Sequence, residues 1–348
     1  MCADGGADAA TPGTTRAVAD TLGTVTGGTF LYLSRRDVES LAIPMTAIID
    51  ALEEMFREKG AGRVEMPPKP GIHPRPNAFI HAMPAYIPRI NASGLKWVAG
   101  YPENPEKGLP YISGLLILND PGTGVPIAVM DCTWITAVRT GGATAVAAKY
   151  LARRGSARLG IVACGVQGRS NLEALACVFE LTRVKAYDIV PEIAAHFAEE
   201  MSERIGVTVE PVTSAEKSVR EMDLVVTSGP ILKQPRPTIE PGWLAPGGFA
   251  CPLDFDSYWQ GDTLRRVDKL ATDDAAQMRY YRGEGYFRDT PEPYADLGDI
   301  VVGTKPGRET EEERTVCINL GLALEDITTA ALVYERAVAD GIGTKLPL

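Results

Sequence analysis

The chain has 348 residues, 45% of them hydrophobic and 23% charged, with a formal net charge of −10, and that length predicts two domains with a sizeable core. The acidic balance excludes a nucleic-acid partner, which needs a basic face, and no apolar run is long enough to form a membrane helix. Six scattered cysteines without a CxxC pair, and three histidines without a cluster, point away from a disulfide framework or a zinc site and toward the cytoplasm.

Residues 1–28 lack the basic start and apolar core of a signal peptide and read as a disordered or loosely held tail. TFLYL (29–33) predicts a first strand, and Ser34 with Asp37 predicts a capped helix start. A second helix is expected from about Pro44 to Lys59, with Ile48, Ile49, Leu52, Met55 and Phe56 at helical spacing. NAFIHAM, GLKWVAG, YISGLLILND and PIAVMD predict antiparallel strands, with NDPGTG as a hairpin turn. From Trp134 a long Ala-rich helix is expected to run to Gly155. RLGIVACG, VKAYDIV, VTVEPV and DLVVTS then alternate as strands with helical segments, the pattern of a parallel sheet covered on both faces. GFACPLDF and KLATDD read as further strands, and the stretch from Thr315 to Gly343 as one long helix.

GIVACGVQGRSN follows a strand and opens a helix, where a Rossmann dinucleotide loop belongs. Against GxGxxG the chain reads Ala163, Cys164, Gly165, Val166, Gln167, Gly168, so the first glycine is replaced. Gly165 lets backbone approach a pyrophosphate, Gly168 permits close helix–strand packing, and the helix start offers free N–H groups to phosphate. Asp188, 20 residues after Gly168, stands where an acid accepts from ribose hydroxyls. A carboxylate there repels a 2′-phosphate and favours NAD over NADP, with Arg183 and Lys185 nearby pulling the other way.

From about Tyr32 to Leu346 the chain resembles the ornithine cyclodeaminase/mu-crystallin family. The resemblance is carried, in order, by MPAY, GLKWV, GLP, LNDPGTGVPIAVMD, ITAVRTGGATAVAAKYLAR, ACGVQG, DLVVTS, PG before LDFD, DLGDIVVGTKPGR, LGLALED and GIGTK. It implies an α/β fold with a Rossmann-type doubly wound parallel sheet inserted into a mixed α/β domain built from both chain ends. The expected division is 29–138 plus 318–348 for substrate binding and dimerisation, and 139–317 for NAD. A homodimer is implied, with the substrate between the domains.

The resemblance also implies roles. Lys96 and Arg139 match the carboxylate binders, and Lys69 in MPPKP stands where the family usually has Arg, with Arg75 as a substitute. Arg139, Thr140, Thr227 and Ser228 are expected near the cofactor together with the 165–168 loop. The family's catalytic aspartate follows the PG turn, and gapless counting selects Asp256 over Asp254. Read as one strand, the two acids would share a face, and the like charges would raise one pKa and suit proton transfer near neutrality. Tyr258 and Trp259 read first as core, Glu103 and Asn104 as turn residues, and His73 and His81 as structural.

These features predict an NAD(H)-dependent amino-acid dehydrogenase or imine reductase acting on a small amino acid or its imine or 2-oxo acid. The alternatives are a cyclodeaminase, which releases ammonia and recycles NAD, and a non-catalytic ligand-binding protein of the mu-crystallin kind.

Overall fold

The computed structural model describes residues 28–348; the tail expected over 1–28 lies, apart from Gly28, outside the described residues. Strand β1 (Thr29–Leu33) leads to helix α1 (Arg35–Ser40), and Ser34 forms the anticipated capping box, with Asp37 N–H donating to its Oγ and its own N–H donating to Asp37 Oδ2. Helix α2 (Met45–Gly60) buries Ile48, Ile49, Leu52, Met55 and Phe56, the stripe read from the sequence. Strands β2 (Gly71–Ile72), β3 (Phe79–Ile87), β4 (Ala92–Gly100), β5 (Ile112–Asn119) and β6 (Pro126–Asp131) pair antiparallel in succession. The 120–125 segment closes the hairpin, with Asp120 N–H donating to Val125 O at 2.9 Å.

Helix α3 (Thr133–Leu151) ends four residues before the expected Gly155, and Arg153 instead pairs with Asp223. Then come β7 (Arg158–Val162), α4 (Val166–Ala176), β8 (Arg183–Tyr187), α5 (Pro191–Ile205), β9 (Val209–Pro211), α6 (Ala215–Val219) and β10 (Leu224–Thr227). β11 (Phe249–Pro252), α7 (Gly261–Arg265), β12 (Lys269–Thr272), α8 (Ala275–Gly283), β13 (Ala295–Asp296), α9 (Leu297–Val301) and β14 (Thr315–Ile318) follow. Helix α10 (Ala323–Asp340) and β15 (Thr344–Pro347) close the chain.

Two sheets result. One has the order β15-β1-β6-β5-β4-β3-β2; the other is β13-β12-β14-β11-β10-β7-β8-β9, and its strand pairs are parallel. The long helix expected from Thr315 is divided: Thr315–Ile318 is a fully buried strand between β11 and β12, and Gly321 at φ +78° turns the chain before α10. Four residues are too short a run for periodicity to separate a buried strand from a buried helix.

Alternation along β4 and β5 splits the first sheet into two faces. Lys96, Val98, Leu116 and Leu118 are buried on one face, where α10 lies across β3, β4 and β5. The other face carries Leu95, Trp97, Leu115 and Ile117 in register, with Trp97 and Leu115 each 46% exposed. Helix α3 packs between the layers through small residues. A Cβ at Gly141 would stand 2.4 Å from Ser170 O on α4, and one at Gly142 would stand 2.8 Å from Leu52 Cδ1 on α2. No helix among the described residues is long and apolar enough to cross a membrane.

Candidate active site

In the parallel sheet β7 neighbours β10, and the chain leaves them toward opposite edges, so a crevice opens at their carboxyl ends. The loop after β7 lines it. Helix α4 starts after Gly165 with no side-chain cap, so its first-turn N–H groups are left for a ligand. A Cβ at Gly165 would meet nothing within 4 Å, whereas one at Gly168 would lie 2.8 Å from Ala163 O. One glycine therefore faces open space and the other permits close packing. Asp188, just past β8, accepts from Cys164 N–H at 2.9 Å and Val190 N–H at 3.0 Å, which sets its carboxylate beside the loop. Ser228 Oγ donates to Ala163 O at 3.0 Å, and Thr140 Oγ1 donates to Thr136 O at 2.8 Å.

Ala163, at the replaced first glycine, has φ +73°. A left-handed alanine costs about 1–2 kcal/mol, partly offset because glycine loses more entropy on folding. Ala163→Gly is therefore expected to raise stability by up to about 1 kcal/mol in a denaturant melt. A destabilised variant would contradict the strain.

A buried cluster of charge adjoins the crevice. Lys96 Nζ donates to Asp326 Oδ1 at 2.7 Å and lies 3.4 Å from Thr136 Oγ1. Thr136 O in turn receives Gln167 Nε2 at 3.5 Å, which links the cluster to the first turn of α4. Arg139 donates from a terminal nitrogen to Glu325 Oε2 at 2.7 Å, and its Nε lies 3.0 Å from Asp326 Oδ1. Lys69 Nζ donates to the carbonyls of Leu320 (2.6 Å) and Gly321 (3.0 Å), while the N–H groups of the same two residues donate to Asp273 Oδ2. Three cations and three carboxylates thus meet around the 320–326 segment, all of them buried. Burial, then Arg139, pulls the Lys69 ammonium well below the usual lysine range, and burial pushes Asp273 and Glu325 up. Against the opposing effect of burial, Asp326 and Glu325 hold the Arg139 guanidinium firmly charged. Arg75 stays exposed.

Asp254 and Asp256 do not share a strand face. β11 ends at Pro252, and Phe255 between the acids has φ +60°, so they turn toward different neighbours. Asp254 is fully buried against the end of β10, accepting from Thr227 Oγ1 at 3.1 Å and Gly229 N–H at 3.2 Å; burial pushes it up to about 8. Asp256 faces the Phe287 backbone, its Oδ1 is buried without a hydrogen-bond partner, and burial raises its pKa as well. The Phe255 ring packs 5.1 Å from Tyr281, and Lys69 Nζ lies 5.5 Å from that ring's centroid, joining the acidic turn to the charged cluster.

The remaining residues fall where ordinary packing puts them. Trp259 is core, its Nε1 donating to Thr227 Oγ1 at 3.1 Å. Asn104 Nδ2 donates to Pro110 O across a turn, and Glu103 is exposed. His81 stacks on Phe79 with centroids 4.3 Å apart, and burial lowers it to about 3, so it is neutral.

A phosphate-ready helix start beside a buried cluster of paired charges is one half of the pattern; comparison with known proteins supplies the other. The profile of the ornithine cyclodeaminase/mu-crystallin family matches residues 30–341. The chain belongs to this family. It is 36% identical over 328 residues to the alanine dehydrogenase of Archaeoglobus fulgidus, covering 91% of this chain and 98% of that protein. Among solved structures it resembles Thermococcus litoralis Δ1-pyrroline-2-carboxylate reductase in complex with NADH and L-proline. There the TM-score is 0.83 and the identity 37%, covering 90% of this chain and 99% of that one. An archaeal alanine dehydrogenase dimer with bound NAD gives a TM-score of 0.82 at 35% identity, covering 92% and 99%.

Within the ornithine cyclodeaminase/mu-crystallin family frame, sequence reasoning missed Asp273, Glu325 and Asp326: Glu325 and Asp326 pair with Arg139 and Lys96, and Asp273 fixes the 320–321 backbone whose carbonyls hold Lys69. A signal was available: adjacent acids in the apolar run LGLALEDITTAALV, where a charge survives burial only when paired.

Proposed function

We propose that this chain is an NAD(H)-dependent oxidoreductase acting at the α-carbon of a small amino acid or its imine, as a dehydrogenase or imine reductase. The observation that carries the reading is the convergence of Lys69, Lys96 and Arg139 beside the uncapped start of α4. The crevice fits a dinucleotide: open space over Gly165, free N–H groups behind it and the Asp188 carboxylate at the end of β8. Gly165, Val166, Gln167 and Gly168 would hold the pyrophosphate side, Asp188 the ribose, and Arg139, Thr140, Thr227 and Ser228 the nicotinamide end. Hydride transfer at the α-carbon is the chemistry this group supplies when bound.

The chain's own residues do the rest. Lys96 and Arg139, with Lys69, hold the substrate carboxylate and thereby fix the α-carbon. Glu325 Oε1 and Asp326 Oδ2 are buried without hydrogen-bond partners, so a substrate amine finds complementary acceptors there. Asp256 holds the proton that leaves the substrate nitrogen as C=N forms, returns it in reduction, and activates the water that displaces ammonia. Asp254 braces Thr227.

Residues 29–138 with 318–348 form the substrate-binding and dimerisation part in this reading, and 139–317 the NAD part. The uncovered face bearing Leu95, Trp97, Leu115 and Ile117 supports a homodimer. Five free cysteines among the described residues support a cytoplasmic setting.

Amino acids, and 2-oxo acids with amines, screened at the nicotinamide absorbance band test the reading. A dehydrogenase accumulates NADH, whereas a cyclodeaminase releases ammonia without it. Fluorescence titration with NADH is expected to give saturable binding to the wild type and none to Gly165→Trp, which fills the open space. Equal behaviour of the two without binding would remove the cofactor and with it the enzyme.

Lys69 sets a pH dependence. Its lowered pKa means that the ammonium loses its proton as pH rises through a range where lysine is ordinarily charged, and carboxylate binding weakens. KM is therefore expected to rise with pH in the wild type and to stay flatter in Lys69→Arg, whose guanidinium remains charged. Parallel KM–pH profiles would take Lys69 out of carboxylate binding.

A further inference from the structure

We propose a second ligand site, for a small primary ammonium ion bearing an aliphatic chain, in the cavity between α2, α10 and the turn that follows β3. The cavity has a volume of about 200 Å³, more than the roughly 150 Å³ of an engineered apolar cavity that admits benzene. Met55, Ile87, Ile90 and Leu332 give it an apolar wall.

Its polar groups are unequally satisfied. Glu58 is held by Arg63 at 2.8 Å, and Glu54 by Arg57 at 3.2 Å and Arg89 at 3.5 Å. Glu335 has no cation within ion-pair distance among the described residues, and burial raises its carboxyl pKa. Thr328, only 4% exposed, also lines the cavity, and its Oγ1 has no hydrogen-bond partner. One carboxylate and one hydroxyl are thus left over, facing a single guanidinium and two other acids. An ammonium brings three donors and no acceptor, which suits both groups at once. A carboxylate ligand would face the unpaired Glu335 and compete with Glu54 and Glu58 for Arg89, and a neutral alcohol would leave Glu335 uncompensated. The alkyl chain lies against the apolar wall.

The cavity is separate from the crevice. Thr328 follows Asp326 by two positions on α10, which turns the two side chains to opposite sides of the helix. The new site therefore sits behind the helix turn that holds Lys96 and Arg139.

Titration calorimetry of the full chain with n-hexylammonium chloride, beside n-hexanoate and n-hexanol, tests the site. Saturable binding of one hexylammonium per chain is expected, with affinity at least about tenfold weaker in Glu335→Gln and hexanoate failing to bind. Glu335 has no protein partner to lose, so the amide is compatible with the fold. Ala51→Phe, which fills the cavity from its α2 side, gives an independent loss of binding. Absence of hexylammonium binding to the wild type, equal affinity in Glu335→Gln or Ala51→Phe, or hexanoate binding as tightly, would overturn the proposal.

Discussion

Asp256→Asn is expected to lower turnover by about 10²–10⁴-fold while leaving NADH affinity near that of the wild type. The amide keeps the volume of the side chain but neither takes nor returns a proton. Asp256 Oδ1 is buried with no hydrogen bond to satisfy, so its removal exposes no orphaned partner. Asp254→Asn is the control. Its carboxyl titrates at about 8, so below that pH the folded chain holds it neutral, much as asparagine is. Because the folded chain binds a proton there that the unfolded chain has released, wild-type stability falls as pH rises from the ordinary aspartate range up to about 8. Asp254→Asn should flatten that limb of the stability profile and leave most turnover at neutral pH. The reverse ranking, with Asp254→Asn inactive and Asp256→Asn active, would transfer the proton to Asp254.

Arg139→Ala should cost about 3–5 kcal/mol of stability as well as raising KM for any carboxylate substrate. Glu325 is fully buried, and Arg139 is its cation partner at 2.7 Å; Asp326 retains Lys96. Removing the guanidinium leaves a carboxylate in a low-dielectric interior with nothing opposite it. Adding Glu325→Gln to Arg139→Ala should recover a large part of the loss in a denaturant melt, without restoring KM. A single variant that unfolds within about 1 kcal/mol of the wild type would mean that the pair contributes little to the fold.

Most of the scaffold was legible because its elements follow simple periods. The α2 stripe, the Ser34 capping box, the antiparallel β3–β6 run and the alternation from β7 to β10 all stand where their patterns put them. Legibility failed where a short apolar run lay between two parallel neighbours, as in Thr315–Ile318, since burial on both faces erases alternation. It failed again at Leu253–Asp256, where a left-handed Phe255 parts two acids that an extended strand would align. In the site, the three cations were visible through their motifs. The carboxylate partners of Lys96 and Arg139, up to 230 positions away, were not, because pairing across that distance is a property of topology and leaves no local spacing.

The joint formed by α3 has a mechanical consequence. At Gly141 it meets the α4 main chain at Ser170 with no side chain of its own between, and at Gly142 it meets the Leu52 and Ile48 side chains of α2, so any rocking of α4 against α3 drives main chain into main chain at residue 141. Ingress to the crevice must then come from yielding of the loops at its mouth, and an alanine at residue 141 should jam the seam long before it alters a single charged contact.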